Sequence, residues 1–331
     1  MSLDKLKMWP IGKKIAVSMM LLFVAMLVLN SIVTLLTLEG FQEFTNGVTG
    51  VGVNKLALDA TEGTINDIEI FKRINEIISQ TNPNILNTGF YLNMIYNLVV
   101  FLGLGLLFAK LFQPKALKSF TFENKTPILF LASIILSINV QQIGNDAVYL
   151  NELLGLNSLQ ERLFGVTELE DNKNLISNYI MLFPNAERGW FITFIGLALV
   201  PAIGEEVMFR GYLMKLFNQN SNHHNGIALS ALIFALIHFN FTNFFYYFVL
   251  GVILGYIYYW GKNLLFPIII HFIHNGLVLF IFLKSTSGDE VSGDAFSGMS
   301  NNTVSIMAYV TVGLSLAIFY MNYQRRRDLI K

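Results

Sequence analysis

The sequence predicts an all-α fold, a polytopic transmembrane helical bundle of about eight spans whose catalytic helices lie in the C-terminal half. Three observations lead there. The 331 residues are 54% hydrophobic and only 13% charged, with a mean hydropathy of +0.54, which lies outside the range of an ordinary soluble domain. The apolar residues gather in stretches near the roughly 20 residues that a hydrocarbon core about 30 Å thick requires. Inside those stretches stand Glu205, Glu206, Arg210, His238, His271 and Asn275, and an ionisable group in hydrocarbon costs at least a few kcal/mol, so it marks a functional site by default.

The first stretch, 15–36, follows Lys5, Lys7, Lys13 and Lys14. It is too long for a signal-peptide core and no small-residue cleavage site follows, so it reads as a retained span. The second and third, 91–112 and 127–145, flank a loop carrying Lys110, Lys115, Lys118 and Lys125. The fourth, 190–216, contains the two glutamates and Arg210. The fifth and sixth, 226–241 and 244–260, are short and joined by little more than Asn240 to Asn243, which predicts a tight helical hairpin. The seventh, 264–284, contains His271 and Asn275, and the eighth, 304–323, runs into Arg325, Arg326, Arg327 and Lys331.

Lys and Arg in short loops set membrane orientation. They fall on one side of this alternation, so both termini are expected to be cytoplasmic in a multi-pass protein of the cell membrane. The loops 37–90 and 146–189 and the stretch 285–303 then lie outside. Ile65–Ile78 and Leu150–Leu163 are amphipathic, which predicts interfacial helices or caps in the two long loops. The chain divides into an N-terminal membrane region 1–189, a core 190–283, and a last loop, span and basic tail 284–331.

Composition also excludes classes of function. The net charge is zero, with no basic patch to attract nucleic acid. There is no Cys, so disulfides, thiolate metal sites and a Cys nucleophile are ruled out, and any metal would rest on His, carboxylate or water. No internal repeat suggests an inverted-repeat transporter.

The chemistry sits in three short patterns. In Pro201-Ala-Ile-Gly-Glu-Glu-Val-Met-Phe-Arg210, Glu206 and Arg210 are four apart and share a helical face, while Glu205 stands about 100° round the helix. A carboxylate paired with a guanidinium keeps its charge, whereas a desolvated, unpaired one is suited to act as a base, and that division is what acid/base catalysis needs. Phe234-Ala-Leu-Ile-His238 places an aromatic ring one turn before a histidine, and His271-Phe-Ile-His-Asn275 spaces a histidine and an amide the same way. At about 1.5 Å per residue, Glu205, His238, His271 and Asn275 come to roughly 10–18 Å from the inner ends of their spans, deep enough to surround one pocket.

Other residues have plainer readings. Phe234 packs beneath His238, His274 faces a neighbouring helix or lipid headgroups, and His223 and His224 are solvated in a polar loop. Gly251 and Gly255 let helices approach closely. The aromatics Phe244 to Tyr247 and Tyr258 to Trp260 form interface belts.

Together and in this order, Glu-Glu-x-x-x-Arg, Phe-x-x-x-His and His-x-x-x-Asn resemble the CPBP family of intramembrane proteases, which includes type II CAAX prenyl endopeptidases and bacteriocin-processing and immunity proteins. The resemblance covers about residues 190–283. It implies an endopeptidase in which Glu205, helped by His238, activates water, Glu206 with Arg210 shapes and neutralises the site, and His271 with Asn275 stabilises the oxyanion. The substrate it implies is a membrane-associated peptide or protein in the lipid bilayer, CAAX-like or bacteriocin-type. Two mechanisms stay open: Glu205, His238 and His271 would suit a Zn²⁺ with an open water position, and a metal-free, glutamate-activated water accounts for the same residues. The alternatives to an enzyme are a non-catalytic membrane scaffold or immunity protein, and a proton-coupled transporter.

Overall fold

In the computed structural model the chain is an all-α, multi-pass membrane protein. The structure describes residues 6–46, 48–65, 67–80, 83–113, 126–167, 188–219, 222–286 and 302–329, with 169, 173 and 176. Its elements in chain order begin with α1 (Ile11–Asn46), α2 (Val48–Thr61) and α3 (Asp67–Gln80). Helix α4 runs through Pro83–Asn97, a π-helical turn Leu98–Gly103 and Leu104–Phe112. Then come α5 (Pro127–Leu153) and α6 (Leu156–Phe164). Helix α7 is composite: Gly189–Phe194, a π turn Ile195–Leu199, Val200–Glu206, a second π turn Val207–Leu213, and Met214–Phe217. The set closes with α8 (His223–Leu236), α9 (Phe244–Gly261), α10 (Leu265–Thr286) and α11 (Asn302–Asp328).

Each of the eight apolar stretches carries a helix. Six of these are long and apolar enough to cross a membrane: Ile11–Val33, Leu86–Phe112, Pro127–Asn151, Gly189–Phe217, Phe244–Gly261 and Ile306–Asp328. The expected fifth and seventh spans are the shorter apolar helices His223–Leu236 and Leu265–Phe280. The fifth falls short because α8 stops before the polar run Asn240 to Asn243, and its 14 residues reach about 21 Å.

Local chemistry explains several breaks. Pro201 has no N–H for the carbonyl four residues back, and the π turn Ile195–Leu199 immediately precedes it. Asn222 caps α8 by accepting from Asn225 N at 2.9 Å. Helix α9 ends on Lys262 in the left-handed region, φ 52°, and buried Asn263 accepts from Leu265 N at 2.9 Å to open α10.

Packing assembles the C-terminal helices against the N-terminal ones. Leu22 and Met26 of α1, Phe101 and Phe108 of α4, Met208, Phe209 and Tyr212 of α7, and Phe234 of α8 share one core. Leu136 of α5, Leu254 of α9, Phe266 and Ile270 of α10 and Phe319 of α11 form a second. Helices α8 and α9 pack as the expected hairpin. The amphipathic stretches are helical too. Helix α3 buries Ile74, Ile77 and Ile78 with Leu279 of α10, and α6 follows α5 at a left-handed Gly155, φ 64°. Arg188, ahead of α7, ties it to α4 by donating to Leu86 O at 3.0 Å and stacking 4.1 Å from the Phe90 ring.

Candidate active site

Helices α7, α8, α9 and α10 meet around the Glu-Glu-x-x-x-Arg pattern. Gly204 permits the approach from α4, since a Cβ there would lie 3.2 Å from Phe101 Cβ and 3.3 Å from Leu102 N. The next two residues, Glu205 and Glu206, are buried, and Arg210 lies within the π turn that follows. Single π turns inside α-helices recur at functional sites.

Arg210, 1% exposed, donates from Nη1 to Glu206 Oε1 at 2.6 Å and from Nη2 to Gly251 O on α9 at 2.9 Å. Its guanidinium lies 5.1 Å from the Phe234 ring centre. Gly251 is needed for this geometry, because a Cβ would meet Ala231 Cα at 3.0 Å and hold α9 away from α8. The same Glu206 Oε1 lies 2.9 Å from His271 Nδ1 on α10. A carboxylate oxygen only accepts, so Nδ1 carries a proton. The other His271 nitrogen, Nε2, is 3.8 Å from Glu205 Oε2, too far for a direct bond. Glu205 Oε2 has no hydrogen-bond partner.

His238 does not sit on a helix as expected. Helix α8 ends at Leu236 and His238 lies on the turn that follows, with Phe239 in the left-handed region, φ 49°. Its ring still reaches back one turn: Nδ1 is 2.6 Å from Phe234 O. The carbonyl can only accept, so Nδ1 bears the hydrogen and Nε2 keeps its lone pair. The Phe234 ring lies 4.8 Å from His238 and 6.0 Å, edge-on, from His271. Phe234 thus packs beneath His238, as expected, and the same buried ring also lies against the Arg210 guanidinium and His271. Asn275, one turn beyond His271, is half-buried and makes no side-chain hydrogen bond.

Some residues read as bystanders contact the candidate site residues. Tyr247, expected in an aromatic belt, stacks on His238 at 3.9 Å and 16°. Tyr246 donates to Gln141 Oε1 on α5 at 2.6 Å, so the 2.6 Å contact to His274 Nε2 is one it accepts. His274 therefore faces neighbouring helices, as expected. His223 and His224 open α8 instead of floating in a loop: His223 stacks on Tyr259 at 4.2 Å, and His224 Nδ1 meets Tyr256 OH at 2.6 Å. The Gly251 carbonyl carries no sequence signal, although the Gly-x-x-x-Gly spacing flags the close approach that exposes it.

The donor set does not converge for a metal. Among the described residues no three His, Asp or Glu side chains are placed to hold one ion.

Residues 187–277 match the Rce1-like family, described as type II CAAX prenyl endopeptidase Rce1-like. Over 96 residues the chain is 38% identical to a membrane-embedded CAAX protease, MroQ, of Staphylococcus aureus strain USA300. That alignment covers 27% of this chain and 37% of the relative. No solved structure matches.

Proposed function

We propose, from the premise that residues 187–277 are an Rce1-like segment of the CPBP intramembrane protease family, that this chain is an intramembrane endopeptidase acting on a membrane-associated peptide or protein. The observation that carries the reading is the contrast between two adjacent buried carboxylates. Each has one oxygen, Oε2, without a hydrogen-bond partner, but Glu206 is paired through Oε1 with Arg210 and His271, whereas the Oε2 of Glu205 stands 3.8 Å from His271 Nε2 with no cation bonded to it.

A water between Glu205 Oε2 and His271 Nε2 can touch both across 3.8 Å. Glu205 takes a proton from it as general base, assisted by the free Nε2 of His238. The water oxygen bonds to the scissile carbonyl carbon, and the C=O pair moves onto oxygen. His271 and Asn275, with its uncommitted amide, supply the donors to that oxyanion. The tetrahedral adduct then collapses, the C–N bond breaks, and the proton on Glu205 passes to the leaving amine. Every step runs on the chain's own side chains. Substrates are CAAX-like or bacteriocin-type peptides, reached from the cytoplasmic leaflet, with both termini on that side.

The test is product analysis by mass spectrometry after incubating purified protein with membrane-anchored candidate peptides. Wild type should yield two fragments, while Glu205→Gln and His238→Ala should yield none above background. Equal cleavage by wild type and Glu205→Gln would refute the reading.

A further inference from the structure

We infer that Asn151 and Gln160, both outside the Rce1-like segment, are positioning residues for His238, clamping the turn that carries it; the inference rests on the protease reading above. The turn 237–243 joins α8 to α9, and its irregular backbone needs hydrogen-bond partners that no helix ladder supplies. Two buried amides from the end of α5 and from α6 do this. Asn151, 0% exposed, donates from Nδ2 to Thr242 O at 2.7 Å and accepts from Phe245 N at Oδ1, 3.2 Å. Gln160, 4% exposed, accepts from Phe241 N at 3.3 Å. Asn240 Oδ1 closes the turn from within by accepting Asn243 N at 2.9 Å.

These bonds bracket the chemistry on both sides. His238 lies three residues before Phe241, and Tyr247, whose ring stacks on His238, lies two residues after Phe245. Between them Phe239 holds a φ of 49°, a strained setting for a bulky residue that persists only when its surroundings over-determine it. The clamp supplies that determination from residues 81 to 94 positions away in sequence. It fixes the imidazole and its stacking platform as one unit. A misplacement of about 1 Å in a reacting group costs on the order of 100-fold in rate.

The experiment compares kcat and KM of full-length wild type, Asn151→Leu, Gln160→Leu and Gln160→Glu on a membrane-anchored peptide that wild type cleaves, with amide hydrogen exchange over 237–247 in the same samples. The expected result is a fall of about 10- to 100-fold in kcat for both Leu variants at nearly unchanged KM, with faster exchange in the turn. Gln160→Glu keeps the acceptor for Phe241 N and should recover most of the rate, which a general loss of packing would not allow. Wild-type kcat in the Leu variants, or Gln160→Glu as slow as Gln160→Leu, overturns the clamp. If wild type cleaves nothing, the protease reading fails on its own, and exchange decides the clamp: faster exchange in the Leu variants keeps it, and unchanged exchange overturns it.

Discussion

Replacing Arg210 by Met isolates the electrostatics of the buried site. Glu206 is 0% exposed, and the substitution removes its 2.6 Å bond to the guanidinium together with the donor to Gly251 O. Breaking a buried ion pair from one side costs about 3–5 kcal/mol because the remaining charge stays buried. An orphaned buried carbonyl adds about 1–3 kcal/mol. Together the two losses come to about 4–8 kcal/mol for Arg210→Met. Adding Glu206→Gln removes the uncompensated charge, so the double variant should lose only about 1–2 kcal/mol relative to wild type. The assay is equilibrium unfolding in mixed micelles for wild type, both single variants and the double. Additive losses within about 0.5 kcal/mol would show that the pair is not coupled and refute the reasoning.

Three further outcomes follow from the same geometry. Tyr247→Phe keeps the ring stacked on His238 and should retain activity, whereas Tyr247→Ala should lower kcat about tenfold or more with little change in KM, read by steady-state cleavage. Gly251→Ala forces a Cβ to within 3.0 Å of Ala231 Cα and should destabilise by about 1–3 kcal/mol, while Gly313→Ala on α11, with open space at its Cβ, should stabilise by about 0.5–1 kcal/mol; micelle unfolding compares the two. Because the donors do not converge on one point, a chelator should leave the rate of peptide cleavage unchanged, and a loss restored by added Zn²⁺ would contradict the metal-free mechanism.

The helices and several contacts among the candidate site residues were legible because each rests on a strong local signal. Membrane-length apolar runs mark helices, and Glu206 with Arg210 at i, i+4 pair on any helical face. Matched depth brought His271 to Glu206 across 65 positions. What escaped was set by backbone or by remote partners. The π turn Val207–Leu213 has no residue signature, and a carbonyl such as that of Gly251 has no letter of its own. His238 was expected on a helix because Phe234-x-x-x-His238 has helical spacing. The helix nonetheless ends at Leu236, where the following turn finds buried amides to satisfy it. Tyr246 and Tyr247 looked like belt aromatics because composition cannot separate a ring facing headgroups from one facing histidines.

The central claim is that Glu205 is the base. Its most direct test is the single-turnover rate of peptide cleavage by Glu205→Gln, measured on protein shown by unfolding to be as stable as wild type. The account predicts a fall of about 100- to 10,000-fold, the usual contribution of a positioned general base. A rate within a fewfold of wild type would contradict it.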